Sequence, residues 1–297
     1  MTVGRADLLG GKKEPRTGEG SAVSEAPVII FTITPGRSGT HYLTSLFSVL
    51  PEVYAVHEPD PTLSSREFVQ GELTKEEAVI LINEKADSIL ATCKNPNAST
   101  YVETSHALLS HTSAPSTLIE RLLANLNGQS IGVVILKRDL AEVMMSRSHL
   151  GHMTRYSESR EVRCRGVGWI YTPGSKNAQI LPIKPDNQLT QLELLAGYVL
   201  NVEAVAGNFA KQYKGHPRLR IYEIDLKDLS QSIGAITGMM DFFHLAYDRK
   251  NLTKVMKCGK TNERKEDKDK ARVRDKCVVT LDDCEAALKD YRKRLKG

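Results

Sequence analysis

The sequence predicts an α/β fold of three layers, with a central parallel β-sheet flanked by helices. After residue 27, short apolar runs alternate with longer runs of helical periodicity. The apolar runs are continuous, as in Ile131–Leu136, which is typical of strands buried on both faces of a parallel sheet. With 297 residues the chain is long enough for one large domain with a substantial core.

Each element follows from its local pattern. Short apolar runs predict strands at 28–34, 53–56, 100–104, 131–137 and 219–224. Apolar residues spaced three and four apart predict helices at 40–50, 74–92, 115–127, 140–150, 188–213 and 231–244.

The remaining segments complete the domain organisation. Residues 1–26 are polar, lack the apolar centre of a signal peptide and are expected to form a disordered tail. Residues 27–297 are then one domain. Within it, residues 151–187 are irregular and rich in Gly, Pro, Ser and Arg. That segment is either a lid-like insertion over a site or a long surface loop.

The composition of the chain argues against several classes of protein. The net charge of +5 is too small to indicate nucleic-acid binding, but it suits an anionic ligand. No run of about 18 apolar residues occurs, so we expect no membrane span. The five cysteines are scattered and form no CxxC pair, which argues against a disulfide framework and against zinc. We therefore expect a reducing, cytoplasmic location and no bound metal.

The stretch TPGRSGTHYL, which joins the first predicted strand to the first predicted helix, has the composition of a phosphate-binding loop. Backbone N–H groups at the start of a helix are unpaired and attract anions. Gly36 and Gly39 allow a tight turn and a close approach to the backbone. An ordinary turn between a strand and a helix is the alternative interpretation.

The side chains of this loop suit an anion but not magnesium-dependent nucleotide chemistry. Arg37 supplies a fixed charge with a fork of donors, and Ser38 and Thr40 supply hydroxyl groups. The GxxxxGK[ST] pattern of kinases and ATPases is absent, since His41 occupies the sixth position from Gly36 and no Lys-Ser/Thr pair follows.

A second candidate anion site follows the strand predicted at 131–137. Arg138 ends that strand, and Asp139 is a predicted helix cap with Glu142 as its capping-box partner. Ser146 lies eight residues after Arg138, so an arginine and a serine can converge on one anion. The alternative is a surface ion pair at Arg138 and an exposed helix face at Ser146.

Together the two elements resemble sulfotransferases that use 3′-phosphoadenosine 5′-phosphosulfate (PAPS). Arg37-Ser38-Gly39-Thr40-His41-Tyr42-Leu43 is similar to that family's loop for the 5′-phosphosulfate. Arg138 and Ser146 match its clamp for the 3′-phosphate. The stretch LRIYEIDLKDL is similar to the family's Y-E-D-L strand, which implies that Tyr222 lies near the adenine. The resemblance covers about residues 27–247.

The resemblance is weaker near the carboxyl terminus. The pattern Lys276-x-x-x-Thr280-Leu281-x-x-x-Glu285 nearly fits the segment through which some family members form a homodimer. The family's R-K-G segment for the 3′-phosphate is missing. Four basic residues either substitute for this segment or form a solvated charged run: Lys268, Lys270, Arg272 and Arg274.

The resemblance implies in-line transfer of a sulfuryl group, with PAP as the second product and no need for a metal. Arg37 is the expected cation on the leaving phosphate, and His41 is a second donor to the sulfate. The base is expected to be Glu58 in AVHEPDP or His106 in VETSHALL, with a preference for Glu58. Both follow strand ends, where open α/β sheets bind their ligands.

Specificity is expected to reside in residues 59–75 and 151–187, and the acceptor is expected to be a small molecule with a hydroxyl or an amine. Two other interpretations remain. One is a kinase-like phosphotransferase that uses ATP, and the other is a nucleotide-binding protein without turnover.

Overall fold

The computed structural model describes residues 26–63, 73–94, 98–105, 114–148, 191–258 and 279–296. Their strands form one five-stranded sheet in the order β2-β3-β1-β4-β5, and every neighbouring pair is parallel. The predicted α/β fold with a central parallel sheet is confirmed. The strands are β1 (Ile29–Ile33), β2 (Val53–Val56), β3 (Thr100–Glu103), β4 (Ile131–Lys137) and β5 (Leu219–Asp225).

Helices cover both faces of this sheet. Six lie where the sequence predicts them: α1 (Thr40–Phe47), α2 (Lys75–Thr92), α3 (Ala114–Asn125), α4 (Leu140–Arg147), α5 (Gln191–Gln212) and α7 (Ile233–Phe242). Three further helices within the described ranges were not predicted: α6 (Leu226–Gln231), α8 (Arg249–Cys258) and α9 (Leu281–Lys296).

The unpredicted helices are short or highly charged. α8 buries Leu252 completely, with Val255 and Met256 partly buried beside it, so its short apolar stripe lies among many basic residues. α9 buries Cys284, Leu288 and Tyr291 among many charged residues. Five sequence expectations lie wholly or partly outside the described residues: the tail up to residue 25, residues 64–72 of the segment 59–75, His106, the segment 151–187 and the basic run after Cys258.

Two hydrophobic cores explain the continuous apolar strands. Ile30 packs with α1, α7 and α8 on one face of the sheet. Phe31 and Ile33 pack with α2, α3, α5 and α9 on the other face. Every residue of β1 is therefore buried, which is the condition that removes the polar alternation of a half-exposed strand.

The connections create a crevice at the carboxyl edge of the sheet. β1 leads into α1 on one face and on to β2, whereas β4 leads into α4 on the opposite face and on to β5. The chain therefore leaves β1 toward the β2 edge of the sheet and leaves β4 toward the β5 edge, although β1 and β4 are neighbours. Ligands of open α/β sheets bind at such a switch point. Among the described helices, none is both long and apolar enough to cross a bilayer.

Candidate active site at the carboxyl edge of the sheet

The loop between β1 and α1 is shaped by left-handed backbone conformations. Gly36, Arg37 and Gly39 have φ angles of 69°, 53° and 86°. Turns of this kind direct successive N–H groups into one concavity that suits an anion. Gly39 is also the N-cap of α1, so no side chain caps the helix at that position. Its φ of 86° favours glycine, and a Cβ there would lie 2.5 Å from Leu226 Cδ1.

One loop side chain, that of Ser38, holds the loop itself, and another, that of Arg37, reaches α4. Ser38 is fully buried, and its Oγ donates to Gly36 O at 3.0 Å, so this hydroxyl stabilises the turn. Thr40 is buried as well, and its carbonyl accepts from Thr44 Oγ1. Arg37 is half-buried, and its Nε donates to Ser146 Oγ at 3.4 Å.

The structure brings the two predicted anion elements together. Arg138 Nη1 donates to Arg37 O at 2.6 Å, so the first clamp residue contacts the loop backbone. Ser146, the second clamp residue, contacts the Arg37 side chain. Asp139 caps α4 as predicted, by accepting from Glu142 N. The Glu142 carboxylate pairs with Arg138 Nε at 3.0 Å, however, and does not complete the predicted capping box.

Arg147 supports the loop from beneath, and the sequence analysis did not single it out. It is 2% exposed, and its Nη2 donates to Pro35 O and, at 3.4 Å, to Tyr198 Oη. Tyr198 Oη also donates to Pro35 O at 3.1 Å. Burial lowers the pKa of Arg147 to about 10, with Tyr198 and Glu58 opposing that shift and Arg37 adding to it. Arg147 therefore remains charged at neutral pH.

Histidines and hydroxyl groups lie at the ends of β2 and β3. The rings of His41 and His57 are 3.8 Å apart between centroids. His57 Nδ1 lies 3.1 Å from Thr104 O and 3.2 Å from Thr104 Oγ1. Thr104 Oγ1 in turn hydrogen-bonds Thr44 Oγ1 at 2.6 Å. The beginning of α1 and the ends of β2 and β3 are thereby tied together.

Glu58 follows His57 in a left-handed conformation with a φ of 48°. Burial dominates the pKa shifts of Arg147 and Tyr198, and the negative charge of Glu58 contributes to both. Its carboxylate is therefore within electrostatic range of Arg147, beneath the loop.

A buried ion pair holds the turn that carries Glu58. Lys85 and Glu103 are each 1% exposed, and Lys85 Nζ lies 3.0 Å from Glu103 Oε1. Lys85 Nζ also donates to Pro59 O at 3.0 Å. Tyr101 Oη donates to the second Glu103 oxygen at 2.7 Å. Because Pro59 directly follows Glu58, this network fixes the turn at the end of β2.

Tyr222, which the resemblance places near the adenine, lies within β5. Its ring packs on Phe242 at 5.0 Å and Phe243 at 6.2 Å between centroids. It is paired with Val134, three residues before β4 ends, which corresponds to about 10 Å along a strand. The contact of Tyr222 with a nucleotide stays a prediction.

A cavity of about 660 Å³ opens beside Arg138, between the ends of β4 and β5 and the helices α5 and α9. Its size is within the range of pockets for small ligands. Its walls combine apolar residues with charges of both signs, including Glu203, Asp225, Lys289 and Arg292.

Comparison with known proteins yields distant structural likenesses. No protein-family model matches the chain, and no curated protein matches it. Similar solved structures include the sulfotransferase domain from the curacin biosynthetic pathway, with 14% identity, 78% coverage of both chains and a TM-score of 0.46.

Two further structures are similar. The sulfotransferase domain of the Synechococcus PCC 7002 olefin synthase has 15% identity and a TM-score of 0.44, with 91% of this chain and 88% of that chain covered. Mouse sulfotransferase SULT7A1 complexed with PAP has 10% identity and a TM-score of 0.42, with 90% and 83% covered. All three are sulfotransferases. Likenesses this distant carry no residue roles over to this chain.

Proposed function

We propose that this chain is a sulfotransferase that moves a sulfuryl group from PAPS to a hydroxyl or amine of a small-molecule acceptor. One observation carries the proposal: two candidate anion sites, more than 100 residues apart in sequence, are in contact. Arg37 Nε donates to Ser146 Oγ, and Arg138 donates to Arg37 O. A donor with phosphate groups at both the 5′ and 3′ positions of one ribose needs two such adjacent sites.

In this proposal the loop 36–41 holds the 5′-phosphosulfate. Its backbone N–H groups and the N-terminus of α1 supply donors, and His41 adds a side-chain donor. Arg37 stabilises the negative charge that grows on the leaving phosphate, and it acts without releasing its own proton because a guanidinium stays protonated.

Arg138 and Ser146 hold the 3′-phosphate. Arg138 presents a fork of donors, of which Nε and Nη1 are engaged by Glu142 and by the loop. The cavity beside Arg138 provides space for the nucleoside. Tyr222 packs against Phe242 on the opposite face of the sheet from this cavity, so its contact with the adenine is an alternative placement of the base.

The acceptor approaches from the ends of β2 and β3, opposite the clamp. Sulfuryl transfer needs a proton acceptor there, and the sequence names Glu58 and His106 for that role. The reaction proceeds in line and requires no metal, since Arg37 supplies the positive charge on the leaving group.

The proposal is tested by comparing two donors with the same panel of hydroxyl and amine acceptors. We expect transfer of label from sulfur-labelled PAPS, and none from ATP labelled at the γ-phosphate in the presence of magnesium. Transfer from ATP would establish a phosphotransferase instead. Tight PAP binding without transfer to any acceptor would establish a binding protein without turnover.

A further inference from the structure

The orientation of the His57 ring is fixed by an atom that can only accept a hydrogen bond. Nδ1 lies 3.1 Å from the backbone carbonyl oxygen of Thr104, and the Thr104 hydroxyl is 3.2 Å away. A carbonyl oxygen has no proton to give, so Nδ1 of the neutral ring carries the hydrogen. Nε2 is then the basic nitrogen. The same logic orients catalytic histidines whose second nitrogen is held by a carboxylate or carbonyl.

Thr104, which makes this contact, is itself held by hydrogen bonds. Thr104 is fully buried, and its hydroxyl is 2.6 Å from Thr44 Oγ1 on α1. Its backbone N–H donates to Val56 O at 3.1 Å, which extends the pairing of β2 with β3. His57 is therefore held between two strand ends and a helix, and these contacts orient its ring.

His57 also lies beside the proposed phosphosulfate loop. Its ring centroid is 3.8 Å from that of His41, which occupies the first turn of α1 directly after the loop. Glu58, the preferred candidate in the sequence, is instead within electrostatic range of the buried Arg147. An ordinary glutamate carboxylate is only a weak base at neutral pH. An imidazole is the better match for proton transfer near neutral pH.

We propose that His57 is the catalytic base, and this inference rests on the proposed function. Nε2 takes the proton of the acceptor hydroxyl as the acceptor oxygen forms its bond to sulfur. The bond between sulfur and the phosphate oxygen breaks, and its electron pair leaves with PAP. The products are the sulfated acceptor, PAP and a His57 imidazolium that later releases the proton to solvent. For an amine acceptor the nitrogen takes the place of the oxygen.

The groups around His57 allow its ring to gain a proton and then release it. The Thr104 carbonyl stabilises the charged ring through Nδ1–H. The charged and titratable groups from the surrounding elements are His41 of α1, Arg37 of the loop, Glu58 of the same turn, and Glu103 of β3 paired with Lys85 of α2.

The test compares the unaltered chain with His57→Gln, using PAPS and the best acceptor of the panel. Glutamine keeps a donor for the Thr104 carbonyl but has no basic nitrogen. We expect kcat to fall about 10²- to 10⁴-fold, while PAP affinity stays within about twofold because the clamp is untouched. The unaltered enzyme should lose activity at low pH as its base becomes protonated, which gives the acid limb of the plot of rate against pH. This acid limb should disappear in His57→Gln. Added imidazole should restore turnover to His57→Ala.

Controls separate the base from its neighbours. His41→Gln, Glu58→Gln and His106→Ala are expected to lower turnover less than His57→Gln does and to keep the acid limb. His216→Gln, which precedes β5 at the opposite edge of the sheet, should keep both the rate and the limb. Turnover of His57→Gln within about tenfold of the unaltered rate, or an acid limb that persists in this variant, would overturn the inference.

A measurement on the unaltered protein tests the tautomer without any substitution. Nitrogen NMR of the neutral imidazole should show Nδ1 protonated and Nε2 unprotonated, and the reverse assignment would overturn the inference. The two proposals fail in distinguishable ways. Absence of transfer by the unaltered chain overturns the sulfotransferase itself, whereas full activity of His57→Gln overturns only the role of His57.

Discussion

The two sides of the crevice are built from different kinds of side chain. The arginine side, Arg37, Arg138 and Arg147 with Ser146, surrounds the loop with cations that keep their charge at any physiological pH. The histidine side, His41, His57 and Glu58 with Thr104, carries groups whose protonation can change. A transfer reaction needs both kinds, since a leaving group requires constant charge and an acceptor requires a site for its proton.

The two sides are also supported differently. Backbone carbonyls hold the arginine side, because Arg147 binds Pro35 O and Arg138 binds Arg37 O. A buried ion pair supports the histidine side, because Lys85 binds both Glu103 and Pro59 O. Removing Arg37 or Arg138 should therefore affect ligand binding and rate, whereas removing the buried Lys85 should affect the stability of the fold.

The largest effect on folding is expected for Lys85→Met. Without the lysine, the Glu103 carboxylate is left buried and uncompensated, which costs about 3–5 kcal/mol in the free energy of unfolding. Urea denaturation measures this difference. The matched control is Lys137→Met, because the pair of Lys137 with Glu223 is exposed and should contribute about 1 kcal/mol or less.

Replacement of both buried partners sharpens the same test. Lys85→Met combined with Glu103→Leu removes the two charges together and should recover much of the lost stability. Equal, small losses for Lys85→Met and Lys137→Met would contradict a supporting role for the buried pair.

The next effect is on turnover. Arg37→Ala removes the charge that stabilises the leaving phosphate, so kcat should fall about 10²- to 10³-fold, as for the loss of a transition-state donor. Labelled PAPS in saturating amounts measures it. Arg121→Ala is the control, because its ion pair with Asp87 is exposed and remote from the sheet edge. Near-normal turnover of Arg37→Ala would remove the catalytic role of this residue.

The sequence predicted most of the fold, because strands buried on both faces leave an unmistakable continuous apolar run. It also predicted that Arg37 and Arg138 follow strand ends of the sheet, since both fall in local patterns with a definite spacing, and their roles toward a ligand stay predictions. It did not predict α8 or α9, whose few buried residues lie among many charges.

The supporting residues were missed for another reason. Lys85 lies on a helix with many exposed charged residues, and only the tertiary fold places it against Glu103. Arg147 differs from a surface arginine only in what covers it. His57 was visible in the sequence beside Glu58, but its bond to the Thr104 carbonyl joins two strands that are 47 positions apart. Such roles depend on contacts that no local pattern records.

The most direct test of the two-site account is calorimetric titration of PAP and of adenosine 5′-phosphate, which lacks the 3′-phosphate, into the unaltered chain and Arg138→Ala. Loss of a hydrogen bond to a charged group costs about 1.5–3 kcal/mol, so the Kd for PAP should rise about 10- to 100-fold in Arg138→Ala. Binding of adenosine 5′-phosphate should show no such change, and neither should PAP binding by the control Arg121→Ala, whose ion pair with Asp87 is exposed. Unchanged PAP binding, or equal weakening of both nucleotides, would contradict a 3′-phosphate site at Arg138.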